Sequence, residues 1–335
     1  MPAPHAPPFQ LTSAILSQVA EIAAMVGRLE VLEAARRVPV LRRENRLKSI
    51  HASLAIEQNT LTLEQVTAVI AGKRVLGPPK EIQEVTNAFA AYEAMPEWSP
   101  ASVTDLLAAH GLLMAGLIAH AGRFRSGAVG IAQGEKVVHF APPAVRVPGL
   151  MKDLLAWLRR TDTHPLVASC VVHYEVEFIH PFADGNGRIG RLWQTLILSR
   201  WHPLLAYLPV ESVIRERQPE YYKVLAACDK AGNSTAFIEF LLAAILEALR
   251  EANTTDQVAE PVTDQVAALL RALGSATLSA MECMSHLGLS HRPTFRANYL
   301  RPAMASGLVE ATVPGKPNSR LQKYRLTAKG RLHQE

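Results

Sequence analysis

Cysteine is scarce in this sequence, and long uninterrupted hydrophobic runs are absent. The three cysteines are Cys170, Cys228 and Cys283. Because no two of them form a short paired spacing, they predict reduced packing thiols rather than a disulfide framework or a zinc site. The longest apolar stretch, from Phe237 to Leu249, is interrupted by Glu239 and Glu247, so no segment predicts a membrane span. The N-terminal residues also lack the pattern of a secretory signal, and we therefore expect a cytoplasmic protein without membrane contact.

Neither sign of charge dominates the chain. It has 35 Lys and Arg residues against 30 Asp and Glu residues, a net charge of +5. From Asp256 onward ten basic residues face six acidic ones, so most of the surplus lies in the last quarter of the sequence. A basic surplus of this size is expected of a domain that contacts nucleic acid, but it does not by itself establish such contact. With 335 residues, 49% of them hydrophobic, the chain can form the cores of two or three domains.

Helical periodicity dominates the first 250 residues, and strand-like alternation is confined to 127–140 and 308–327. We predict a mainly α protein, a helical bundle with a small β-hairpin flap, followed by a C-terminal winged helix-turn-helix domain. The predicted divisions are an N-terminal helical region at 1–100, a core at 101–252 and a winged-helix domain at 260–335, with the polar run 253–256 breaking the helical pattern. The winged-helix prediction rests on helices at 262–273, 279–287 and 292–306 and on a hairpin at 308–326 with a turn at 314–319.

The stretch 180–191 reads HPFADGNGRIGR and combines a helix end, a glycine-rich turn and the start of a new helix. The proline after His180 disfavours a helical conformation of that histidine, so the preceding helix must end there. Apolar residues at helical spacing follow the turn, which puts Gly185, Asn186 and Gly187 at the N-terminus of a partly buried helix. Backbone amides at such a terminus bind anions, and glycine lets a phosphate approach closely.

The side chains of this stretch suit phosphate chemistry. Arg188 and Arg191 are neighbours on one helix surface and can donate charge-assisted hydrogen bonds to phosphate oxygens. Asp184 supplies a carboxylate that can hold a Mg²⁺ ion bridging two phosphates. His180 has an ordinary pKa near neutrality, which suits a base that takes a proton from an attacking hydroxyl.

These residues resemble the HPFxDGNGRxxR signature of Fic-domain proteins, with every fixed position matched. The resemblance implies that His180 is the base and that Asp184 binds Mg²⁺. It also implies that the turn at 185–187 and Arg188 hold the α- and β-phosphates of ATP, while Arg191 reaches the γ-phosphate. The implied activity is protein adenylylation, in which AMP is transferred from ATP to a Tyr, Ser or Thr hydroxyl of a target protein and of the enzyme itself.

Supporting segments extend the resemblance over about residues 50–250. The stretch 127–140 resembles the flap hairpin of the family, whose exposed edge can pair with an extended segment of a target protein. Tyr221 and Tyr222 resemble the segment that encloses the adenine. Gly232-Asn233 stands where the family often has Gly-Asp, so the sequence supports phosphate binding more firmly than it supports a choice of nucleotide.

The segment from Ser53 to Asn59 resembles the [S/T]xxxE[G/N] inhibitory motif that many Fic proteins carry on an N-terminal helix, here at about 41–58. The resemblance implies that Glu57 binds Arg191 and prevents the γ-phosphate from seating productively. Gln58 departs from the pattern, since it stands where the family has Gly or Asn. A carboxylate on the guanidinium would remove a cation that the triphosphate needs and would repel the γ-phosphate.

Other hypotheses stay open at this stage. Within the fold, the transferred group could be UMP, phosphate or phosphocholine, and the same site could remove AMP. A different class of function is a DNA-binding regulator whose nucleotide site only senses ATP. Relatives in the family also often form homodimers. His173 and Glu177 lie at helical spacing before His180 and allow a metal site, although packing or support of the site is the favoured interpretation of both.

The DNA-binding hypothesis places the helix at 292–306 in a DNA groove. Its candidate contacts are Arg296, Asn298 and Arg301 on this helix and Lys316 and Arg320 on the wing. Beyond Arg296, Asn298 and Arg301, the helix has few side chains that can read bases. The same fold also serves in protein docking and dimerisation, so the sequence leaves the partner of this domain open.

Overall fold

The structure, a computed structural model, describes residues 6–36, 39–128, 130–133, 136–258, 263–313, 322–327 and 330–331. The chain forms two compact units. One consists of Met1–Ala35 and Leu41–Glu251, and the other of Arg36–Val40 and Ala252–Glu335. The division at residue 100 stays a prediction. Within the described ranges, no helix has both the length and the apolar character that a bilayer crossing requires.

The predicted helical bundle is confirmed. Its helices are α1 (Ser13–Arg36), α2 (Pro39–Ile56), α3 (Leu63–Ile70), α4 (Pro79–Ala94), α5 (Val103–Leu113), α6 (Val147–Arg160), α7 (Pro165–Ile179), α8 (Asn186–Trp201), α9 (Val210–Glu216), α10 (Gln218–Ala231) and α11 (Thr235–Val258). Short 3-10 helices lie at Met95–Glu97, Ala144–Arg146 and Pro203–Tyr207.

Side-chain caps fix where several helices begin. The Thr62 hydroxyl accepts the Gln65 backbone N–H at 3.3 Å, and the Gln65 side chain accepts the Thr62 N–H at 2.9 Å. This reciprocal capping box starts α3. The Ser102 hydroxyl accepts the Asp105 N–H at 3.1 Å and starts α5.

Helices α7 and α8 contribute to the core on nearly all of their faces. Every residue of α7 from Leu166 to Val176 is buried, as expected for a helix that is apolar on most sides. On α8 the apolar residues at helical spacing after the turn are buried, as predicted: Ile189, Leu192, Trp193, Leu196 and Ile197. The loop that joins the two helices, residues 180–185, begins the HPFADGNGRIGR stretch, so a packed helix pair holds both of its ends.

The predicted flap hairpin is present within 127–140. Strands β1 (Gly130–Gln133) and β2 (Lys136–Phe140) pair in antiparallel fashion, with Gly130 opposite Phe140 and Gln133 opposite Lys136. The register is irregular between Ile131 and Ala132. The turn of the hairpin lies outside the described residues.

Among the described residues of the second unit, those from Asp264 to Leu326 form three helical segments and a small sheet, in the order predicted from the sequence. Its elements are α12 (Asp264–Leu273), β3 (Leu278–Ser279), α13 (Ala280–His286), α14 (Arg292–Phe295), a π-helical turn at Arg296–Leu300, α15 (Arg301–Ala305), β4 (Val309–Ala311) and β5 (Lys323–Leu326). The antiparallel sheet has the order β3-β5-β4, and β3 was not expected from the sequence. The predicted hairpin tip at 314–319, including Lys316, and also Arg320 lie outside the described residues.

The helical break predicted at 253–256 is wrong, because α11 continues to Val258. The run Asn253-Thr254-Thr255-Asp256 is polar but contains neither glycine nor proline. Polar residues with modest helix propensity do not stop a helix that has already formed, whereas Gly or Pro does. The border between the two compact units nevertheless falls at Glu251 and Ala252, close to the end of the predicted core.

Candidate functional site

His180 ends α7 in a left-handed conformation, with φ 49° and ψ 61°. Its N–H still bonds to the Val176 carbonyl at 3.0 Å, so the residue is fixed to the last turn of the helix. A non-glycine residue in this region is uncommon and carries a conformational cost. The sequence predicts this departure of His180 from helical geometry, because Pro181 follows it. The chain at His180 therefore no longer follows the direction of α7.

Arg125, whose role was not predicted from the sequence, ties this turn to the flap. Its guanidinium donates to the His180 carbonyl at 2.7 Å and to the Ile179 carbonyl at 3.3 Å. It also donates to the carbonyl of Gly127 at 2.8 Å and to that of Pro142 at 2.5 Å, on either side of the hairpin. One buried side chain therefore connects the catalytic candidate with both ends of the flap.

The glycine-rich turn leads into α8 as predicted. Gly185 is the N-cap with φ 81°, and Asn186 is the first residue of the helix. The Asn186 side chain accepts the Phe182 N–H at 2.9 Å and donates to the Phe182 carbonyl at 3.0 Å. These two bonds connect the start of α8 to the backbone of Phe182 and so fix the conformation of the loop between them. The first amides of α8 have no partner within the helix, which is the general condition for anion binding.

A second missed residue, His110, supports the same loop. Its ring stacks on Phe182 with 3.6 Å between centroids and 5° between planes. Its Nε2 lies 2.9 Å from the Asp184 carbonyl oxygen, and the Gly122 N–H donates to its Nδ1. Burial lowers the pKa of His110 to about 4, so the ring is neutral at pH 7 and acts as a support.

Asp184 and Arg188 lie at the start of α8. The Asp184 Oδ1 accepts the Gly185 N–H at 2.6 Å and an Arg188 N–H at 3.2 Å. The Arg188 side chain is buried and also donates to Glu84 at 3.2 Å, and Asn59 donates to the other oxygen of Glu84 at 2.9 Å. Glu84 was missed by sequence analysis. The guanidinium is thus oriented by two carboxylates before any nucleotide arrives.

The structure brings together Arg191, Glu57 and Ser53. The Arg191 Nη2 donates to Glu57 Oε1 at 2.7 Å and to the Ser53 carbonyl at 3.0 Å, and its Nε donates to the Ser53 hydroxyl at 3.0 Å. The side chain of Arg191 is 1% exposed and that of Glu57 is 31% exposed. Burial lowers the pKa of Arg191, but the charge and hydrogen bond of Glu57, together with the contributions of Tyr221 and Glu177, outweigh burial and raise the pKa. Arg191 therefore stays charged in the protein interior.

Gly187 leaves the space that Glu57 occupies. A Cβ atom at this position would overlap Glu57 Oε1 and would lie 2.9 Å from Arg191 Nη1 and 3.3 Å from Glu177 Oε1. Any side chain there would displace the carboxylate or the guanidinium. Glycine at 187 thus leaves room for the Glu57 carboxylate, whereas Gly185 is required by its positive φ.

Gln58 explains why the inhibitory pattern has Gly or Asn after its glutamate. Its φ is 68°, and its N–H bonds to the Ala55 carbonyl while the Asn59 N–H bonds to the Leu54 carbonyl. This pair of bonds is a Schellman motif that ends α2, and its left-handed residue is usually Gly or Asn. Glu57 therefore sits at the C-terminal end of α2, immediately before the strained residue.

Replacing Gln58 by glycine is expected to stabilise the protein by about 1 kcal/mol, because the left-handed conformation costs a side-chain-bearing residue roughly that amount. The shift would be measured as a higher urea midpoint. Gln58→Ala is the matched control, since it removes the side chain but keeps the Cβ atom and hence the strain. Equal stabilisation by both substitutions would show that backbone conformation is not the cause.

Tyr221 does not stand at an open pocket wall. It is 1% exposed, and its hydroxyl donates to Glu177 at 3.1 Å and lies 3.1 Å from His173 Nε2. Burial raises the pKa of Glu177 to about 7, although Arg191 acts in the opposite direction. Tyr222 is 42% exposed. Contact of either tyrosine with adenine stays a prediction.

The packing interpretation of His173 fits its surroundings. The ring is fully buried, and its Nδ1 lies 2.7 Å from Gln194 Oε1. Burial lowers the pKa of His173 to about 3, so the ring is neutral. Among the described residues, no group of three or more His, Cys, Asp or Glu side chains could hold a metal ion. The His173 ring is instead held between Gln194 and the Tyr221 hydroxyl.

Comparison with known proteins decides the family. Residues 100–198 match the model of the Fic/DOC family, and residues 264–327 match that of the Filamentation induced by cAMP protein Fic-like, C-terminal domain. A crystal structure of a Fic family protein from Desulfovibrio desulfuricans G20 has 62% sequence identity and a TM-score of 0.78, covering 97% of this chain and 99% of that chain. The chain belongs to the Fic family.

Curated Fic relatives include the protein adenylyltransferase fic-1 of Caenorhabditis elegans and the protein adenylyltransferase Fic of Nematostella vectensis. Each is 29% identical over an alignment of 213 positions that covers 59% of this chain. The match spans only 39% and 47% of the length of these two relatives. A solved structure of C. elegans Fic-1, at 23% identity and a TM-score of 0.57, covers 72% of this chain and 74% of that chain and shares the fold.

Proposed function

We propose that this Fic protein is a protein adenylyltransferase that Glu57 restrains. The observation that carries the proposal is a single loop in which His180, the free amides of the α8 N-terminus and two oriented arginines converge. Phosphoryl-type transfer needs a base, backbone amides that bind anions, and cations, all close to one another. The naming of curated relatives as protein adenylyltransferases supports AMP as the transferred group.

In the proposed reaction, His180 takes the proton of a Tyr, Ser or Thr hydroxyl on the target. The hydroxyl oxygen then forms a bond to the α-phosphorus of ATP, and the bond between the α-phosphorus and the bridging oxygen breaks to release pyrophosphate. The turn at 185–187 and Arg188 hold the phosphates and balance their charge. Because Glu84 already orients Arg188, little rearrangement of that side chain is needed.

Mg²⁺ fits the proposed site as a companion of the nucleotide. The Asp184 side chain is 47% exposed, and the hydrogen bonds described for it all reach one oxygen, Oδ1. One carboxylate together with phosphate oxygens and water is a common way for proteins to hold Mg²⁺. When bound, the ion would neutralise phosphate charge.

In this proposal Glu57 restrains the enzyme through its negative charge, which opposes binding of the γ-phosphate at Arg191. Arg191 is buried with its carboxylate partner at 2.7 Å, so a γ-phosphate would have to displace Glu57 or accept its repulsion. We assign the same inhibitory role to Ser53, whose hydroxyl and carbonyl take two further Arg191 donors. In the resting protein the site would then be complete, but Glu57 and Ser53 would occupy the Arg191 guanidinium that the γ-phosphate needs.

The proposal also concerns partners. A target protein would pair with the edge of the flap hairpin, which Arg125 ties to the His180 turn. A homodimer and a cytoplasmic location belong to the same proposal. DNA contact by the second unit is a further hypothesis, favoured by the exposed Asn298 and Arg301 on its third helical segment.

Nucleotide analogues can identify the bond that breaks. We expect the Glu57→Gly protein to gain the mass of an AMP group with ATP and with β,γ-imido-ATP, but not with α,β-methylene-ATP, because only the α–β linkage must cleave. Intact-mass spectrometry gives the adduct. Transfer of phosphate would instead fail with the β,γ-imido analogue, and UTP and CDP-choline test the remaining transfers. An adduct other than AMP, or none with ATP, would refute the proposal.

A further inference from the structure

Glu177 of α7 carries a largely buried carboxyl group that the proposed mechanism does not use. Its side chain is 13% exposed. Its Oε1 lies 3.3 Å from the position that a Cβ atom at Gly187 would take, and Arg191 Nη1 lies 2.9 Å from the same point. Glu57 Oε1 is nearer still. Two carboxyl groups therefore face one guanidinium, and within the described residues only Glu57 forms an ion pair with it.

A chain of hydrogen bonds leads from Glu177 into the core. Burial lowers the pKa of His173 to about 3, so its ring carries a single N–H at pH 7. Because Gln194 Oε1 is an acceptor 2.7 Å from Nδ1, that proton lies on Nδ1, and Nε2 is an acceptor. The Tyr221 hydroxyl lies 3.1 Å from Nε2 and 3.1 Å from Glu177 Oε1, and it has one proton to donate.

The charge on Glu177 decides where the Tyr221 proton points. When the carboxyl group is ionised, Tyr221 donates to it, and Nε2 of His173 is left without a donor. When the carboxyl group is protonated, it donates to the Tyr221 oxygen, and the hydroxyl proton turns to His173. Only the protonated form satisfies both ends of the chain. The hydrogen bonds therefore favour a neutral Glu177 in the resting protein.

The charges around Glu177 act on the same proton. The charged or titratable groups near it are Arg191 on α8, Glu57 just beyond α2, Tyr221 and Asp229 on α10, and His173 on α7. Burial is the main cause that raises the pKa of Glu177 to about 7, and the other two carboxylates raise it as well. Arg191 and the Tyr221 hydrogen bond act in the opposite direction. Withdrawal of Glu57 would remove a repulsion and leave the attraction of Arg191, so it would lower the pKa of Glu177.

We infer that Glu177 is a positioning residue for Arg191: when Glu57 withdraws, Glu177 releases its proton to solvent and becomes the carboxylate partner of the guanidinium. A buried cation without a carboxylate is more costly than a neutral ring nitrogen without a donor, so this exchange is favoured over an unpaired Arg191. Glu177 lies on the Gly187 side, beside Nη1, whereas Glu57 binds Nη2. Nη2 is thus left for the γ-phosphate, a consequence that rests on the proposed function.

The exchange makes the restraint by Glu57 depend on pH. In the released state Glu177 has the lower pKa and binds fewer protons, so rising pH favours release. The restraint is full below the pKa of the released state and weakens as the pH rises toward about 7, the pKa of Glu177 in the resting protein. Above that pH it stays at a lower, constant level.

Carboxyl ¹³C NMR of the glutamate-labelled chain can measure this pKa, with Glu177→Gln identifying the signal. We expect a pKa of about 7 in the wild type and of about 6 or lower in Glu57→Gly, a shift that corresponds to about a tenfold change in the restraint. Glu44→Gln loses a charge from an exposed position of α2 and should leave the pKa of Glu177 unchanged. Equal values in wild type and Glu57→Gly, or an ordinary glutamate pKa in the wild type, would overturn the inference.

A second variant keeps this test independent of how well Glu177→Gln folds. Tyr221→Phe removes the hydroxyl that bonds to Glu177 Oε1 and so shifts the same carboxyl signal. The signal is then assigned without changing Glu177 itself, and the wild type can be compared with Glu57→Gly as before.

The pH profile of auto-modification separates a positioning role from a purely structural one. The rate ratio of Glu57→Gly to the wild type cancels the titration of His180, since both proteins contain it. We expect this ratio to fall about fivefold between about pH 6 and pH 8. It should stay constant when both proteins also carry Glu177→Gln, because glutamine does not titrate. A constant ratio with Glu177 in place, or the same decline without it, would refute the linkage.

The inference and the proposed function fail in different ways. The NMR titration needs no nucleotide, so a pKa shift without any auto-modification would support the carboxylate exchange and count against AMP transfer. If Glu57→Gly instead raises auto-modification but leaves the pKa of Glu177 unchanged, Glu57 keeps its inhibitory role and Glu177 has no part in it.

Discussion

Replacing Glu57 by glycine is expected to raise auto-adenylylation with ATP and Mg²⁺ by about 10- to 100-fold, which corresponds to one charged hydrogen bond removed from the resting state. Arg191 would keep its two bonds to Ser53 and would be able to receive the γ-phosphate. Because Glu57 follows the last residue of α2, glycine there does not interrupt the helix. The rate is measured from α-labelled ATP incorporated into the protein.

Glutamine at position 57 separates charge from shape. Glu57→Gln keeps the length of the side chain and one acceptor oxygen but removes the negative charge. Its auto-adenylylation should therefore be faster than that of the wild type and slower than that of Glu57→Gly. Glu44→Gln, at an exposed position earlier on α2, loses the same charge away from Arg191 and should behave as wild type. If the glycine variant incorporates no more label than the wild type, the inhibitory assignment is wrong.

The sequence allowed the local geometry of the site to be predicted because each part depends on near neighbours. Pro181 predicts the departure of His180 from the helix, and the glycines predict the turn. Glu57 and Arg191 are 134 residues apart, and their contact was expected only through the resemblance to a family. Periodicity and spacing report which residues share a face and cannot report such a pairing.

The supporting residues were beyond prediction for the same reason. Glu84 reaches Arg188 across 104 residues, and Arg125 reaches His180 across 55. An isolated Glu or Arg in a helix or loop is most often solvated, so nothing in its sequence neighbourhood separates these two from exposed charges. Burial is the property that distinguishes them, and burial depends on the packing of distant helices.

His180→Ala, made in the Glu57→Gly background, is expected to reduce auto-adenylylation by about 10²- to 10⁴-fold, the usual contribution of a general base. ATP binding should persist, because the phosphates are held by the α8 amides and by Arg188 and Arg191. Labelled incorporation measures the first property and equilibrium binding of ATP the second. Loss of both would indicate a damaged loop rather than a missing base.

The left-handed conformation of His180 makes a second variant more informative than alanine alone. Asparagine tolerates this conformation better than most residues, so His180→Asn should preserve the turn while removing the base. If His180→Ala and His180→Asn are equally inactive, the lost function is proton transfer. If the asparagine variant instead retains most of the activity, His180 serves to shape the loop, and the proposed mechanism needs another base.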